Sequence, residues 1–296
     1  MFDRILIPID GSDCAERAAK YGLELGKTYG AAVAVLHVLE QSRFRRLDSD
    51  TQAERSERGS ELVAEVETLA DEVGVSIDSS MAEGKPHEII DEHVAESDTD
   101  LVVMGRRGRS SMRGKLLGSV TDRVLRTVDV PVFTVPEGDI SSETGTTYER
   151  ILLPTDGSTN AEGAARYGAD IANRYDSTVH VFNAVDVQRE GGLFSAGGVS
   201  EEFIERLEEQ GTSAVERLAR RIRETDSDID LDLTVVRDAP TVGIRDYVTD
   251  EHIDLVVMAS HGEANLSGQL LGSVTDSVLG VVDAPVLVIT RTAETA

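Results

Sequence analysis

Short continuous apolar runs punctuate this chain, with longer amphipathic stretches between them. Arg4 to Ile9 reads Arg-Ile-Leu-Ile-Pro-Ile without alternation, the pattern of a strand buried on both faces. It stops at Asp10-Gly11-Ser12, a turn, and a helix is expected from about Asp13. Along that helix Ala15, Ala18, Ala19 and Gly22 recur at helical spacing, small enough to let it lie close on a sheet. Val33 to Leu39 predicts a second strand. Gln41 to Ser60 is polar, contains Arg43, Arg45 and Arg46, and reads as a loop running into a helix. That helix reaches about Val73, with Leu62, Val66, Leu69 and Val73 on one stripe. A third strand is expected over Val75 to Met81, a short helix from Pro86, and a fourth strand over Leu101 to Met104. A last helix from Gly118 and a fifth strand over Pro131 to Val135 complete the series.

Glu137 to Thr147 has no apolar periodicity and is rich in Ser, Thr and Gly, as a linker is. The pattern then restarts. Arg150 to Ser158 repeats Arg4 to Ser12 at an offset of 146, and Ala161, Ala164, Ala165 and Gly168 repeat the small-residue stripe. Leu116 to Leu125 and Leu270 to Leu279 agree at nine of ten positions at an offset of 154. The second copy is thus eight residues longer, and the Gly-rich stretch from Gly191 to Gly198 is the expected place for part of that length. The period is that of a domain duplication rather than a solenoid. We place one domain at 1–138, a linker at 139–147 and a second domain at 148–292. Strands alternating with helices predict α/β domains built on parallel sheets with helices on both faces. Such sheets bind ligands beyond the carboxyl ends of their strands, the edge where Asp10 and Gly105 fall.

Charge narrows the partners. The chain carries 55 acidic and 29 basic residues, a formal charge of −26, which argues against a nucleic-acid binder needing a basic footprint. Lysine is confined to Lys20, Lys27, Lys85 and Lys115. An acidic, lysine-poor surface suits a salt-rich (halophilic) cytoplasm, where the Debye length falls to about 3 Å near 1 M salt. Thermal melts are therefore expected to shift upward from dilute buffer to molar KCl; a lower midpoint in KCl would exclude this adaptation. Cys14 is the sole cysteine, so no intrachain disulfide forms. The apolar run after Phe2-Asp3-Arg4 is too short for a signal peptide, and no stretch approaches the roughly 18 apolar residues of a membrane span. The expected localisation is cytoplasmic, with no membrane partner.

The fourth strand spills into a glycine-rich loop. Gly105 and Gly108 follow it, and Gly118-Ser119-Val120-Thr121 opens the next helix. Backbone N–H groups cradle phosphate where glycine removes the Cβ, and a helix N-terminus adds unpaired donors and partial positive charge. The Ser119 and Thr121 hydroxyls are further candidate donors. Arg106, Arg107, Arg109, Arg113 and Lys115 surround the loop, an inversion of sign within an acidic chain. A plainer reading stands beside this one: Ser119-x-x-Asp122 and Ser273-x-x-Asp276 are also capping boxes. Walker A spacing is not met, because five residues separate Gly108 from Gly114-Lys115 and Leu116 replaces the hydroxyl. His87 and His93 lack the helical i, i+4 zinc spacing. His37, His180 and His252 read as packing or surface residues. Ser12 and Ser158 have no evident base, so no catalytic residue is assigned. Asp10 and Asp156 are turn formers by type, but opposite the loop they are better placed to bond a base or ribose.

These residues resemble the universal stress protein family over nearly the whole chain, as two tandem domains. The family signature G-x2-G-x9-G-[ST] is met by Gly105, Gly108, Gly118 and Ser119. Ile7-Pro8-Ile9-Asp10-Gly11-Ser12 and Leu36-His37-Val38 are similar to its other landmarks. The resemblance implies Rossmann-like, adenine nucleotide alpha hydrolase-like domains with a five-stranded parallel sheet of order 3-2-1-4-5, often dimeric. It implies ATP, with or without Mg2+, as ligand. Asp10 and Val38 would then meet adenine or ribose and Pro8 would line the same edge. Gly105, Arg106, Arg107, Gly108 and Arg109, with Ser119, Val120 and Thr121, would hold ribose and phosphates.

The second copy departs from this pattern. Ala259 replaces the first glycine, Ala184 replaces Val38, and the loop from Ala259 to Ser273 has no Arg or Lys and places Glu263 where Arg109 stands. A weaker second site would use Asp156, Gly262, Gly272, Ser273, Val274 and Thr275, and ATP is expected mainly in the first domain. The function expected is a tandem stress-response module that binds ATP with little or no turnover. The two domains would pair as an internal pseudo-dimer, and a homodimer is a further expectation. Two other classes stay open: a slow ATP hydrolase or nucleotide transferase, and an interaction protein that binds no nucleotide.

Overall fold

The apolar runs are the strands of two parallel sheets. The computed structural model describes residues 1–40, 49–108, 117–138, 147–187, 200–262 and 271–290, and the chain divides into two compact units that meet in sequence between Thr146 and Thr147. The expected Gly191–Gly198 insertion, and Arg43, Arg45 and Arg46, lie outside the described residues.

The first unit runs β1 (Arg4–Ile9), α1 (Asp13–Tyr29), β2 (Ala32–Glu40), α2 (Ser49–Val73), β3 (Ile77–Gly84), α3 (Pro86–Glu96), β4 (Leu101–Gly105), α4 (Ser119–Thr127) and β5 (Val132–Val135). Its five strands are all parallel in the order β3-β2-β1-β4-β5. Ile5, Leu6 and Ile7 of β1 and Leu101, Val102 and Val103 of β4 are essentially unexposed. Each such side chain contributes about 1.5–3 kcal/mol by leaving water. Ser12 caps α1 by accepting from the Ala15 N–H, and Gly30 ends it in the left-handed region at φ 64°. Ala18, Ala19 and Gly22 are buried against the sheet as their spacing predicts. Right-handed crossovers place α1 and α2, which touch, on one face, and α3 and α4, which also touch, on the other.

One strand is displaced from its predicted position. The N–H groups of Gly74 and Val75 both reach back to the Ala70 carbonyl at 2.9 Å. With Gly74 at φ 80°, the end of α2 wraps through Val75 and delays β3 to Ile77. The strand then alternates in exposure as an edge strand does, which is why its hydrophobic signal was weak.

The second unit repeats the design: β6 (Arg150–Pro154), α5 (Thr159–Glu162), α6 (Ala165–Tyr175), β7 (Thr178–Ala184), α7 (Glu201–Thr225), β8 (Leu231–Val236), α8 (Pro240–Asp250), β9 (Leu255–Ala259), α9 (Ser273–Val281) and β10 (Val286–Ile289). Its strands are parallel in the order β8-β7-β6-β9-β10. The long helix that follows the first strand is irregular here at Gly163 and Ala164, which keep right-handed helical dihedrals. No helix among the described residues is long and apolar enough to cross a membrane.

Candidate functional site

At the carboxyl edge of the first sheet, where β1 and β4 diverge toward opposite crossovers, lies a cavity of about 470 Å3. Pro8 and Asp10 from β1 and its turn, Val38 from β2, and Gly105, Arg107 and Gly108 after β4 all line it, as do Gly118 to Thr121 at the start of α4. This is the switch-point position at which open parallel sheets hold ligands, and its size suits a small molecule.

Two glycines set the floor of the loop by what they lack. A Cβ on Gly105 would stand 2.8 Å from the backbone carbonyl of Cys14 in the first turn of α1. A Cβ on Gly108 would collide with Asp10 Oδ2. Asp10 is itself held, its Oδ1 accepting from the Ser12 N–H at 3.1 Å and the Ser12 hydroxyl at 2.6 Å. The Cys14 thiol donates to the Val135 carbonyl at 3.2 Å. Burial pushes that thiol above its ordinary range, against the Arg107 and Arg106 backbone N–H groups that pull it down.

The start of α4 differs from a capping box. Gly118 is the N-cap, extended at φ −70° and ψ 147°, and makes no side-chain cap bond; Ser119 is already the first helical residue. The same holds for Gly272 and Ser273. Gly118 holds the loop closed instead, its N–H donating to the Arg106 carbonyl at 2.8 Å. The Ser119 hydroxyl is therefore not spent on capping, and the N–H groups of Ser119, Val120 and Thr121 are the orphan donors of a helix N-terminus beside the cavity.

Two further expectations about the loop change. The Thr121 hydroxyl is buried and donates to the Gly105 carbonyl at 2.9 Å, so it braces the loop rather than offering a proton to a ligand. Arg106 is 3 % exposed and donates from Nε to the Thr134 hydroxyl at 3.3 Å; it does not line the cavity. Side chains of consecutive residues leaving a strand point to opposite sides, so Arg107 faces the cavity and Arg106 the core. Arg107 is paired with Glu137 at 2.8 Å. Arg109, Arg113 and Lys115 lie outside the described residues.

One wall of the cavity comes from a helix with a polar surface. Arg55, Arg58, Gly59 and Leu62 line the cavity from α2; their i, i+3, i+4, i+7 spacing was the available signal, but arginines on a polar helix read as solvated surface. His37 also lines it. Its Nδ1 lies 2.9 Å from the Ile9 carbonyl. A carbonyl can only accept, so Nδ1 carries a proton.

The second unit keeps the frame. Asp156 Oδ1 accepts from the Ser158 N–H at 3.0 Å, Thr275 donates to the Ala259 carbonyl at 2.9 Å, and a Cβ on Gly262 would meet Asp156. Asn183 takes the place of His37 and donates to the Thr155 carbonyl at 2.7 Å. Arg107 is replaced by His261, whose Nδ1 lies 2.9 Å from the Ser260 hydroxyl. Glu263 lies outside the described residues.

Comparison with known proteins agrees with the architecture. The sequence profile of the Universal stress protein family matches residues 1–136 and again 147–290. A universal stress protein of Methanocaldococcus jannaschii is 35% identical over 140 residues, covering 46% of this chain and 82% of that protein. One from Mycobacterium tuberculosis is 28% identical over 296 residues, covering 96% of both. The crystal structure of a universal stress protein from Archaeoglobus fulgidus superposes with a TM-score of 0.72 at 22% identity, covering 98% of this chain and 97% of that one. With the profile matched once in each half, this chain belongs to the universal stress protein family and carries two of its domains in tandem.

Proposed function

We propose that the first unit binds ATP in the cavity at its sheet edge, and that the chain acts as an ATP-binding stress-response module with little turnover. The observation that carries this reading is the unspent start of α4, where three backbone N–H groups and the Ser119 hydroxyl border the cavity beside Gly105 and Gly108. Donors of that kind bind phosphate oxygens without waiting for a side chain to order. Pro8, Val38, Leu62 and Met104 supply an apolar wall for a base, and Asp10, fixed by Ser12, supplies acceptors for ribose hydroxyls or a base amino group. Mg2+ in such sites is held by substrate phosphates together with one or two protein oxygens, and Ser119 Oγ and the Asp10 carboxylate are protein oxygens lining this cavity. Little turnover is expected, with Asp10 Oδ1 engaged by the Ser12 N–H and hydroxyl.

In the second unit the arginine-free loop and Ala259 leave the phosphate end without cationic support, so ATP is expected at one site per chain. Purified protein incubated with ATP, desalted and denatured should release about one adenine nucleotide per chain by chromatography. Two per chain would place a competent site in the second unit, and none would overturn the reading. Single-turnover phosphate release separates a binding module from a hydrolase: bound ATP is expected to remain intact over many minutes.

A further inference from the structure

The cavity has a cationic end for which the phosphate loop does not account. At the loop end, Arg107 is already paired with Glu137, and the donors are those of α4. An apolar middle follows. Across it, reached from the opposite face of the sheet, Arg55 and Arg58 of α2 line the same cavity. Arg55 is braced by the Glu40 carbonyl at 3.3 Å. Arg58 makes no hydrogen bond or ion pair among the described residues, although the chain holds 55 carboxylates. Among the described residues Glu40 is the one acidic residue lining this end, since Asp10 sits beside Gly108; Glu54, Glu57 and Glu61 are on α2 without lining the cavity. Among those residues, two guanidinium groups thus face one carboxylate.

The duplicate acts as an internal comparison. Helices Ser49–Val73 and Glu201–Thr225 correspond along their whole length. The register is fixed by contacts: Gly59 lies against His37 and Gly211 against Asn183, while Leu62 lies against Gly11 and Ala214 against Gly157. In that register Arg55 and Arg58 become Leu207 and Gln210, as Arg107 becomes His261. The two α2 arginines are thus absent from the duplicate, whereas Pro154 and Met258 keep the middle as Pro8 and Met104 do and Gly272 keeps the uncapped helix start.

We infer that the first unit selects a nucleotide phosphorylated at both ends, with its 5′ phosphates at the start of α4 and a second phosphate held by Arg55 and Arg58. The inference rests on the nucleotide reading above. With its 5′ position at the loop, a ribonucleoside can carry a second phosphate ester only on a ribose hydroxyl, so the ligand class is a 2′- or 3′-phosphorylated nucleotide. Arginine is the residue suited to such a group, because its planar fork pairs bidentately with phosphate.

Calorimetric titration of the full chain, stripped of nucleotide, compares AMP with adenosine 2′,5′- and 3′,5′-bisphosphate. One bisphosphate is expected to bind about tenfold tighter than AMP, the low end for charge-assisted bonds at an exposed site. In the R55Q/R58Q double variant that ratio should fall to about one, while the preference for ADP over AMP, which adds charge only at the loop end, is retained. Both arginines are exposed, so the variant should fold, with an unchanged melting midpoint as the check. A wild-type ratio near one, a ratio that survives in the variant, or an equal loss of the ADP preference would each overturn the inference. If ATP binds but the bisphosphates gain nothing, this inference alone falls. If neither ATP nor any of these nucleotides binds, the nucleotide reading falls with it.

Discussion

Replacing Gly118 by valine is expected to lower ATP affinity about 100-fold while the first unit stays folded. Backbone strain is not the cause, because Gly118 sits at φ −70° and ψ 147°, where any residue is comfortable. The cause is crowding. A Cβ there would stand 3.1 Å from the Arg106 carbonyl oxygen and 3.4 Å from Arg107 Cα, and valine adds two methyl groups to that contact. The loop must move away from α4, parting the glycine floor from the helix N–H groups that complete it. Losing one or two charge-assisted hydrogen bonds costs about 1.5–3 kcal/mol each, which sets the size of the effect. Gly118→Ala should fall between wild type and valine. Titration with ATP, with circular dichroism to confirm folding, is the measurement. Unchanged affinity would detach the loop from nucleotide binding altogether.

The second large effect is on stability. Gly105→Val is expected to destabilise the first unit by about 3 kcal/mol, the upper range for overpacking a closed contact. The new Cβ would meet the Cys14 backbone carbon and oxygen as well as its sulfur at 2.8 Å. Backbone in the first turn of a capped helix cannot swing aside as a flexible side chain can. Denaturant titration should show an earlier transition for one unit and an unmoved transition for the other. Two units unfolding in one chain require that the transitions be fitted separately. Ala259→Gly, in the matching position of the second unit, should change stability by no more than about 1 kcal/mol. Equal responses at the two positions would contradict the packing difference between the units.

Much of the architecture was legible because parallel strands covered on both faces must be apolar throughout, as Ile5 to Ile7 and Leu101 to Val103 are. The duplication made each assignment testable twice. What escaped depended on backbone geometry or side-chain direction, neither of which a residue name carries. Ser-x-x-Asp fits a capping box, yet the extended residue is Gly118, and the serine lies one position inside the helix. Arg106 and Arg107 are identical by type, but a strand end turns one inward and the other to the cavity. The arginines of α2 sat among glutamates and resembled surface until the helix was laid across the sheet. In the same way His37 looked like packing, which it is, and also forms part of the cavity wall.

The interruption of the helix after β6 lies at Gly163 and Ala164, both of which keep right-handed helical dihedrals. The chain therefore holds its direction through it, and what differs from α1 is the hydrogen-bond pattern: the Ala164 N–H reaches the Ala161 carbonyl at 3.1 Å, a three-residue turn. The two units thus differ at this edge in how the helix start is bonded, as well as in the residue, Gly105 or Ala259, that ends the facing strand.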